Sequence, residues 1–174
     1  MSEAGLRGVP PGQSGLLDGR HLRHALSRFA TGVTVVTCCN ADGSFVGLTV
    51  NSFNSLSLQP PLVLWSLREH SPNQKAFLAA ANFAINVLAE DQVNVSRRFA
   101  ASGHDRFAEG AWSLGAHGAP VLAGCTAVFE CASVSQQEMG DHRLFIGQVL
   151  AYSQAALKPL LFQAGHYRTL GEAL

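Results

Sequence analysis

Charge is scarce in this sequence, and its two signs cancel. Only 14% of the 174 residues are Asp, Glu, Lys or Arg, and twelve basic residues are matched by twelve acidic ones. A chain without net charge creates no long-range field to attract a nucleic-acid backbone or an anionic lipid surface. The composition therefore argues against nucleic-acid and membrane partners, and it favours small molecules or proteins.

Signatures of several common enzyme classes are also missing. The sequence contains no GxGxxG, GxxxxGK[ST] or GxSxG motif, which argues against Rossmann, P-loop and α/β-hydrolase mechanisms. The cysteines form no CxxC pair, so we predict no metal site and interpret all four as thiols in a reducing, cytoplasmic compartment. The first residues lack the apolar stretch of a secretory signal, and the uncharged run most suggestive of a membrane segment, 111–129, is interrupted by Gly and Pro. We therefore expect no membrane segment.

Apolar residues, by contrast, are plentiful. They make up 47% of the chain, enough to bury the core of one domain. Residues 1–17 are rich in Gly, Pro and Ser without periodicity, so we predict a disordered or arm-like segment followed by a single domain over 18–174. Because so little charge is available to cover the exterior, we also expect a second copy of the chain to cover part of it, as a homodimer.

Hydrophobic periodicity predicts a mainly β protein. Three short helices are expected, opening at Asp18, at Ser71 with Pro72, and at Asp91. About eight β segments are expected besides. These lie at 33–39, 44–50, 53–58, 62–67, 83–88, 125–134 and 142–152, with short extended pieces at 159–162 and 166–170. A loop is expected over 103–118, with only a brief strand near Trp112, and a polar turn is expected over 136–141. Consecutive strands favour a barrel with helical insertions over a doubly wound parallel sheet.

Three polar segments are candidates for chemistry. Hydroxyl and amide side chains crowd a short stretch between two β segments: Thr49, Asn51, Ser52, Asn54, Ser55 and Ser57. They could hold a polar ligand, or they could be solvated residues of edge strands. The segment from Ser71 to Lys75 could bind an anion at a helix N-terminus, or it could be a capped surface helix. Gly140 to Arg143 could orient the imidazole of His142, or it could form an ordinary turn, which is the simpler interpretation from the residues alone.

Taken together, these segments resemble the short-chain flavin reductase family, the reductase components of two-component flavin monooxygenases. The matching stretches are FATGVTVVT from Phe29, GLTVNSFNSLSLQPPLVLWSL from Gly47, SPNQKAF from Ser71, FAINVLAEDQ from Phe83 and GDHRLFIGQV from Gly140. They occur in the family's order and cover about residues 21–170. The resemblance implies a flavin-reductase-like FMN-binding split β-barrel with a few short helices, assembled as a dimer.

The resemblance also assigns roles to individual residues. Thr49, Val50, Asn51 and Ser52 would border the isoalloxazine and ribityl chain, and Ser55 and Ser57 would reach the ribityl or phosphate region. The phosphate end would include Ser66, Ser71, Asn73 and Lys75, and Phe99 falls in a less specific part of the match. Gly140, Asp141, His142 and Arg143 would lie at the nicotinamide nucleotide, with His142 holding the nicotinamide against the flavin. Asn73 stands where the family often has Thr, and either side chain can donate a hydrogen bond.

The implied function is an NAD(P)H:flavin oxidoreductase that passes reduced FMN or FAD to a separate oxygenase. NADH or NADPH would be the co-substrate, and most of the catalysis would be the positioning of two cofactors. Two other functions remain open: a flavin-binding electron carrier or sensor of the same fold, and a dimeric β-barrel without a redox role. The sequence does not distinguish FMN from FAD as the flavin, or NADH from NADPH as the reductant. It also does not identify the oxygenase or its pathway.

Overall fold

The fold is taken from a computed structural model that describes residues 18–103 and 105–173. Its helices are α1 (Gly19–Leu26), α2 (Gln74–Ala79) and α3 (Val93–Ala100). The strands of the first half are β1 (Thr31–Gly32), β2 (Thr34–Cys39), β3 (Phe45–Val50), β4 (Asn54–Leu58), β5 (Pro61–Arg68) and β6 (Asn82–Val87). Those of the second half are β7 (Trp112–Leu114), β8 (Pro120–Leu122), β9 (Ala127–Met139), β10 (His142–Gln154), β11 (Leu161–Gln163) and β12 (His166–Arg168). The mainly β class predicted from the sequence is confirmed.

Seven strands form one antiparallel sheet in the order β3-β2-β6-β9-β10-β5-β4. Strands β3 and β4 follow each other in the chain, yet they lie at opposite ends of this sheet. The connecting residues 51–53 therefore span from one end to the other, and the sheet curls to allow it. Two small sheets, β1-β11-β12 and β7-β8, lie beside the large one.

The concave face of the curled sheet encloses an inner core. Trp65 of β5 is completely buried and stacks on Phe145 of β10, with ring centroids 4.5 Å apart and planes 11° apart. Phe77 of α2 meets the Trp65 ring edge-on at 5.0 Å, so this short helix covers one end of the core. Gly147 permits the close approach of β10, since a Cβ there would lie 3.0 Å from that of Cys131. Overpacking of this kind destabilises well-packed cores.

A second core lies on the convex face of β2. Alternation along β2 places Val36 and Cys38 in the inner core, whereas Val35 packs with Leu88, Phe99, Leu122 and Leu160. Helix α3 and the two small sheets supply most of these partners. Burial on both faces explains why residues 33–38 are a continuous apolar and β-branched run rather than an alternating one.

Asn86 connects the strands beneath the second core. This fully buried side chain donates from Nδ2 to the Val35 carbonyl at 3.1 Å, and its Oδ1 accepts from the Leu122 N–H at 2.8 Å. Thr37 adds a bond from its hydroxyl to the Pro120 carbonyl at 2.5 Å. The buried side chains of Asn86 and Thr37 are therefore hydrogen-bonded and hold β8 against β2 and β6.

Several predicted boundaries need correction. The first helix is capped as predicted, because the Asp18 carboxylate accepts from the Arg20 N–H, but it ends at Leu26 and buries none of its residues. The second helix begins at Gln74 rather than at Pro72 and ends at Ala79. Strands β1 and β8 were not predicted, and the predicted arm over 1–17 lies outside the described residues.

The predicted polar turn over 136–141 is wrong. Gln136 to Met139 continue β9 and pair with Phe145 to His142 of β10, which leaves only Gly140 and Asp141 in the turn. Gly140 has a φ of +66°, a conformation that glycine adopts without strain at the first position of a two-residue hairpin loop. Polar side chains remain in strand here because Gln137 to Met139 form the exposed end of β9, past the part that pairs with β6.

None of the helices among residues 18–103 and 105–173 has the length and the apolar character needed to cross a bilayer. The four cysteines are free thiols, and Cys38, Cys125 and Cys131 are buried. Burial raises the pKa of each of these three thiols to about 12. They are therefore protonated core residues at neutral pH.

Candidate functional site

The two ends of the curled sheet meet at Ser52. Its hydroxyl oxygen accepts from the Ser66 N–H of β5 at 2.9 Å and lies 3.2 Å from the Ser66 carbonyl, to which the hydroxyl can donate. One serine thus joins the connection after β3 to the far end of the sheet. Beyond this contact β3 and β5 diverge, and a groove opens between them.

The groove has a volume of about 910 Å³, which is within the range of small-molecule sites. One side is formed by the end of β3 and the residues after it, and the other by the end of β5. Residues 71–73 form the wall that precedes α2, which we call the loop wall. Asp141 and His142 form a second wall, which we call the hairpin wall, and residues 99–102, Arg106 and Arg23 complete the lining with His70.

Many predicted site residues, distant in the chain, converge on this groove. The lining includes Thr49, Val50, Asn51, Ser52, Ser66, Ser71, Asn73, Phe99, Asp141 and His142. The convergence follows from the sheet order, because β10 lies beside β5 and places His142 opposite Arg68.

Other predicted residues do not line the groove. Ser55 and Ser57 lie farther along β4, Lys75 is exposed on α2, and Gly140 is at the hairpin turn. Arg143 follows His142 in β10 and therefore faces the other way. Its Nη2 lies 3.0 Å from Glu69 Oε1, so it forms an ion pair beneath the hairpin wall instead of facing the groove.

Three hydroxyls of the groove, those of Thr49, Ser52 and Ser71, already have protein partners. Thr49 Oγ1 donates to the Ser96 carbonyl of α3 at 2.7 Å, and Ser71 Oγ accepts from the Asn73 N–H at 3.3 Å. By contrast, within the described part of the chain the N–H groups of Asn51 and Ser52 have no hydrogen-bond acceptor. The donors that this side offers to a ligand are therefore backbone groups, with the hydroxyls fixing the shape.

The rim of the groove is basic although the chain as a whole is neutral. Arg23, Arg68 and Arg106 line it together with His70 and His142, and Asp141 is the carboxylate among the lining residues. Arg106 also donates to the Gly47 carbonyl at 2.9 Å and to the Ala101 carbonyl at 2.8 Å, which connects Arg106 and Ala101 to β3. This charge suits a phosphate or pyrophosphate group.

The predicted anion site at a helix N-terminus is not supported, because α2 is only six residues long and starts after the loop wall. The arginines of the rim supply the positive charge instead. Arg23 and Arg68 were missed as site residues. The pairing of β5 with β10 would have indicated Arg68, but nothing local in the sequence indicates that α1 reaches the groove.

Asp141 and His142 interact directly. Asp141 Oδ1 lies 2.7 Å from His142 Nδ1. This hydrogen bond, with the charges of His142 and Arg68, lowers the pKa of Asp141 below its ordinary value. The Asp141 carboxylate is therefore ionised at neutral pH and fixes the orientation of the imidazole, which is 38% exposed. Orienting an imidazole through one nitrogen leaves the other free to face a ligand.

The fold and the groove agree with a comparison against protein families. A family described as "Flavin reductase like domain" matches residues 26–171, and the chain belongs to this family.

Individual relatives are consistent with that assignment. FMN reductase (NADH) SmoA of Agrobacterium fabrum is 42% identical over 159 residues, which cover 91% of this chain and 88% of that protein. The reductase component of a flavin-dependent trigonelline monooxygenase from Acinetobacter baylyi is 43% identical over 150 residues, covering 86% of this chain and 48% of that protein. A further relative from Rhizobium meliloti is matched over 50% of its length. The chain thus spans about half the length of these last two relatives.

A solved structure shares the fold over nearly its full length. The NADH:FAD oxidoreductase SgcE6 of Streptomyces globisporus, solved in complex with NAD and FAD fragments, superposes with a TM-score of 0.84 at 38% identity. The match covers 88% of this chain and 93% of that one.

Proposed function

We propose that this chain is an NADH-dependent flavin reductase that reduces FMN or FAD and passes the reduced flavin to a separate oxygenase. The observation that carries the proposal is the convergence of the Thr49–Ser52 segment, Ser66 and His142 on one groove with an arginine rim. The relatives support it, since they include an FMN reductase (NADH) and a monooxygenase reductase component.

The groove residues fit a flavin nucleotide. We propose that the backbone N–H groups of Asn51 and Ser52 bind the polar edge of the ring, and that Ser66, Ser71 and Asn73 border the chain that leads to the phosphate. Arg68 and Arg106 would neutralise phosphate groups. Direct charge pairing of this kind is stronger than neutral hydrogen bonding.

His142 is proposed to hold the nicotinamide. When bound, NADH supplies a hydride and the flavin accepts it together with a proton from solvent. The protein contributes orientation and exclusion of water rather than a nucleophile. Asp141 fixes the imidazole through Nδ1, so Nε2 is available to the nicotinamide side of the groove.

The site also suits a flavin that must leave. Its donors are mostly neutral backbone groups, and its charges lie at the exposed rim, where solvent and salt weaken them. Very tight binding of flavin would not speed turnover and would hinder transfer to an oxygenase.

NADH oxidation in the presence of free flavin tests the proposal. We expect the purified chain to oxidise NADH with added FMN or FAD and to do so far more slowly without them, with NADPH as a parallel substrate. A yellow, stoichiometric and non-exchanging preparation would instead indicate an electron carrier or sensor. Absence of any flavin-dependent oxidation would overturn the proposal.

We also propose a homodimer located in the cytoplasm. Large apolar side chains remain exposed on α1 and after it and on the end strand β4; Phe29 is 76% exposed and Leu58 is 88% exposed. A second copy of the chain would cover such surfaces. Four free thiols are consistent with a reducing compartment.

A further inference from the structure

Glu69 lies in the short connection between β5 and α2, between Arg68 and His70, which both line the groove. Its side chain is only 19% exposed. Its N–H donates to the Asp141 carbonyl at 3.0 Å, so its backbone is attached to the turn that carries the hairpin wall. The next residues along the chain, His70 to Asn73, line the groove.

The two carboxylate oxygens of Glu69 reach in different directions. Oε1 lies 3.0 Å from Nη2 of Arg143 in β10, and Oε2 is hydrogen-bonded to Nε2 of Gln74 at the start of α2. Gln74 follows the loop wall and Arg143 follows the hairpin wall. The Glu69 carboxylate therefore connects the residue that follows the loop wall to the residue that follows the hairpin wall.

The ion pair is well shielded from solvent. Arg143 is 21% exposed, close to the value for Glu69. Arg143 also has a second acidic neighbour, Glu138 on β9, at 3.6 Å, but that side chain is 71% exposed. Salt and water weaken exposed ion pairs far more than shielded ones. The position of the Arg143 side chain is therefore set by Glu69 more than by Glu138.

We propose that Glu69 and Arg143 are positioning residues, which set the spacing between the hairpin wall with His142 and the loop wall with Ser71 to Asn73. The proposal rests on the proposed function, because that spacing would decide how closely nicotinamide and flavin are stacked. Neither residue need touch a ligand. Reactions that depend on the alignment of two bound molecules are sensitive to small displacements of the groups that hold them.

The rate of flavin reduction at saturating NADH, measured by stopped flow, is the first readout. We expect Glu69→Gln to lower this rate by roughly tenfold, while flavin affinity changes less, because displacement affects alignment more than contact area. Glu138→Gln is the matched control, since it removes the other acidic neighbour of the same arginine. It should stay within about twofold of the wild type.

A double-variant cycle separates the pair from its individual members. Arg143→Met leaves a shielded carboxylate unpaired and should lower the rate at least as much as Glu69→Gln. The variant with both changes should be no worse than the poorer single one, because the effects of interacting residues do not add. Fully additive losses would overturn the pairing.

Hydrogen exchange supplies a readout that needs no ligand. Glu69→Gln should speed exchange in peptides that cover 69–74 and 139–143, and Glu138→Gln should not. The inference is overturned if Glu69→Gln changes neither rate nor exchange, if both variants act equally, or if exchange accelerates throughout the inner core. If the wild-type chain fails to oxidise NADH, the proposed function is wrong, and the exchange experiment still decides the inference.

Discussion

At the scale of single residues, the Asp141–His142 pair is the side-chain contact most directly involved in the proposed reaction. The imidazole lines the groove, and the carboxylate behind it is 93% exposed. An exposed pair contributes little to folding. Its consequence is orientation of the ring, so its loss should be visible in function and not in stability.

Replacement of His142 by Ala tests that role. We expect NADH oxidation to slow by roughly tenfold or more, because the nicotinamide would no longer be held in register with the flavin. Flavin affinity should be largely kept. His166→Ala, which removes an exposed imidazole on β12, is the control and should leave turnover unchanged. Equal turnover in wild type and His142→Ala would remove His142 from the mechanism.

The titration of Asp141 gives a second prediction at this scale. Its pKa is lowered from an ordinary value of 3.8, first by the hydrogen bond from His142. A lowered carboxyl pKa means that the contact is complete at neutral pH and is lost only as pH falls through the lowered value. In His142→Ala the pKa should rise back toward 3.8. Carboxyl chemical shifts followed through an acid titration would check this, and an unmoved midpoint would contradict it.

At the scale of elements, the attachment of β8 to the large sheet depends on a buried amide. Replacing Asn86 by Leu leaves the Leu122 N–H without its acceptor and removes the side-chain bond to the Val35 carbonyl, and an unsatisfied buried group costs about 1–3 kcal/mol. We expect the urea midpoint of unfolding to fall accordingly. Asn82→Ala is the comparison, since that half-buried amide makes one bond, to the His117 carbonyl at 3.0 Å. Similar losses in both variants would contradict the assignment.

Elements were predictable where their signals are local. The Asp18 cap, the apolar run of β2 and the turn glycine at Gly43, whose φ is +82°, all act within a few residues. The stretch from Gln136 to Met139 was predicted as a turn because polar residues usually mark turns, whereas it forms the exposed end of β9, past the part that pairs with β6. Helix α2 starts late because Ser71 caps a turn and not the helix itself.

At the scale of the whole molecule, the groove depends on the order of the strands in the sheet. No local sequence signal predicts that order. Thr49 to Ser52 and Gly140 to His142 could be identified by family resemblance. That they meet follows only from β10 lying beside β5 and from Ser52 closing the sheet. Arg143 was assigned to the groove from its neighbours in the motif, but alternation along β10 turns it toward Glu69.

Assembly is the prediction that belongs to this scale. Sedimentation at micromolar concentration should give twice the chain mass of 18.4 kDa. Leu58→Asp places a charge on the exposed apolar end strand and should shift the species toward the single-chain mass if β4 lies in the interface. A wild-type chain that sediments as a monomer would contradict the homodimer.

The passage from β3 to β4 through residues 51–53 has a consequence for the order of folding. The three connecting residues keep its flanking strands close at every stage, but the sheet that links those strands is complete only when the five strands between them have assembled. The groove is therefore absent from a partly folded chain. A ligand of the groove binds only the chain in which the sheet is complete. A nucleotide that binds only the folded chain should therefore stabilise it, and the melting temperature should rise with ligand concentration.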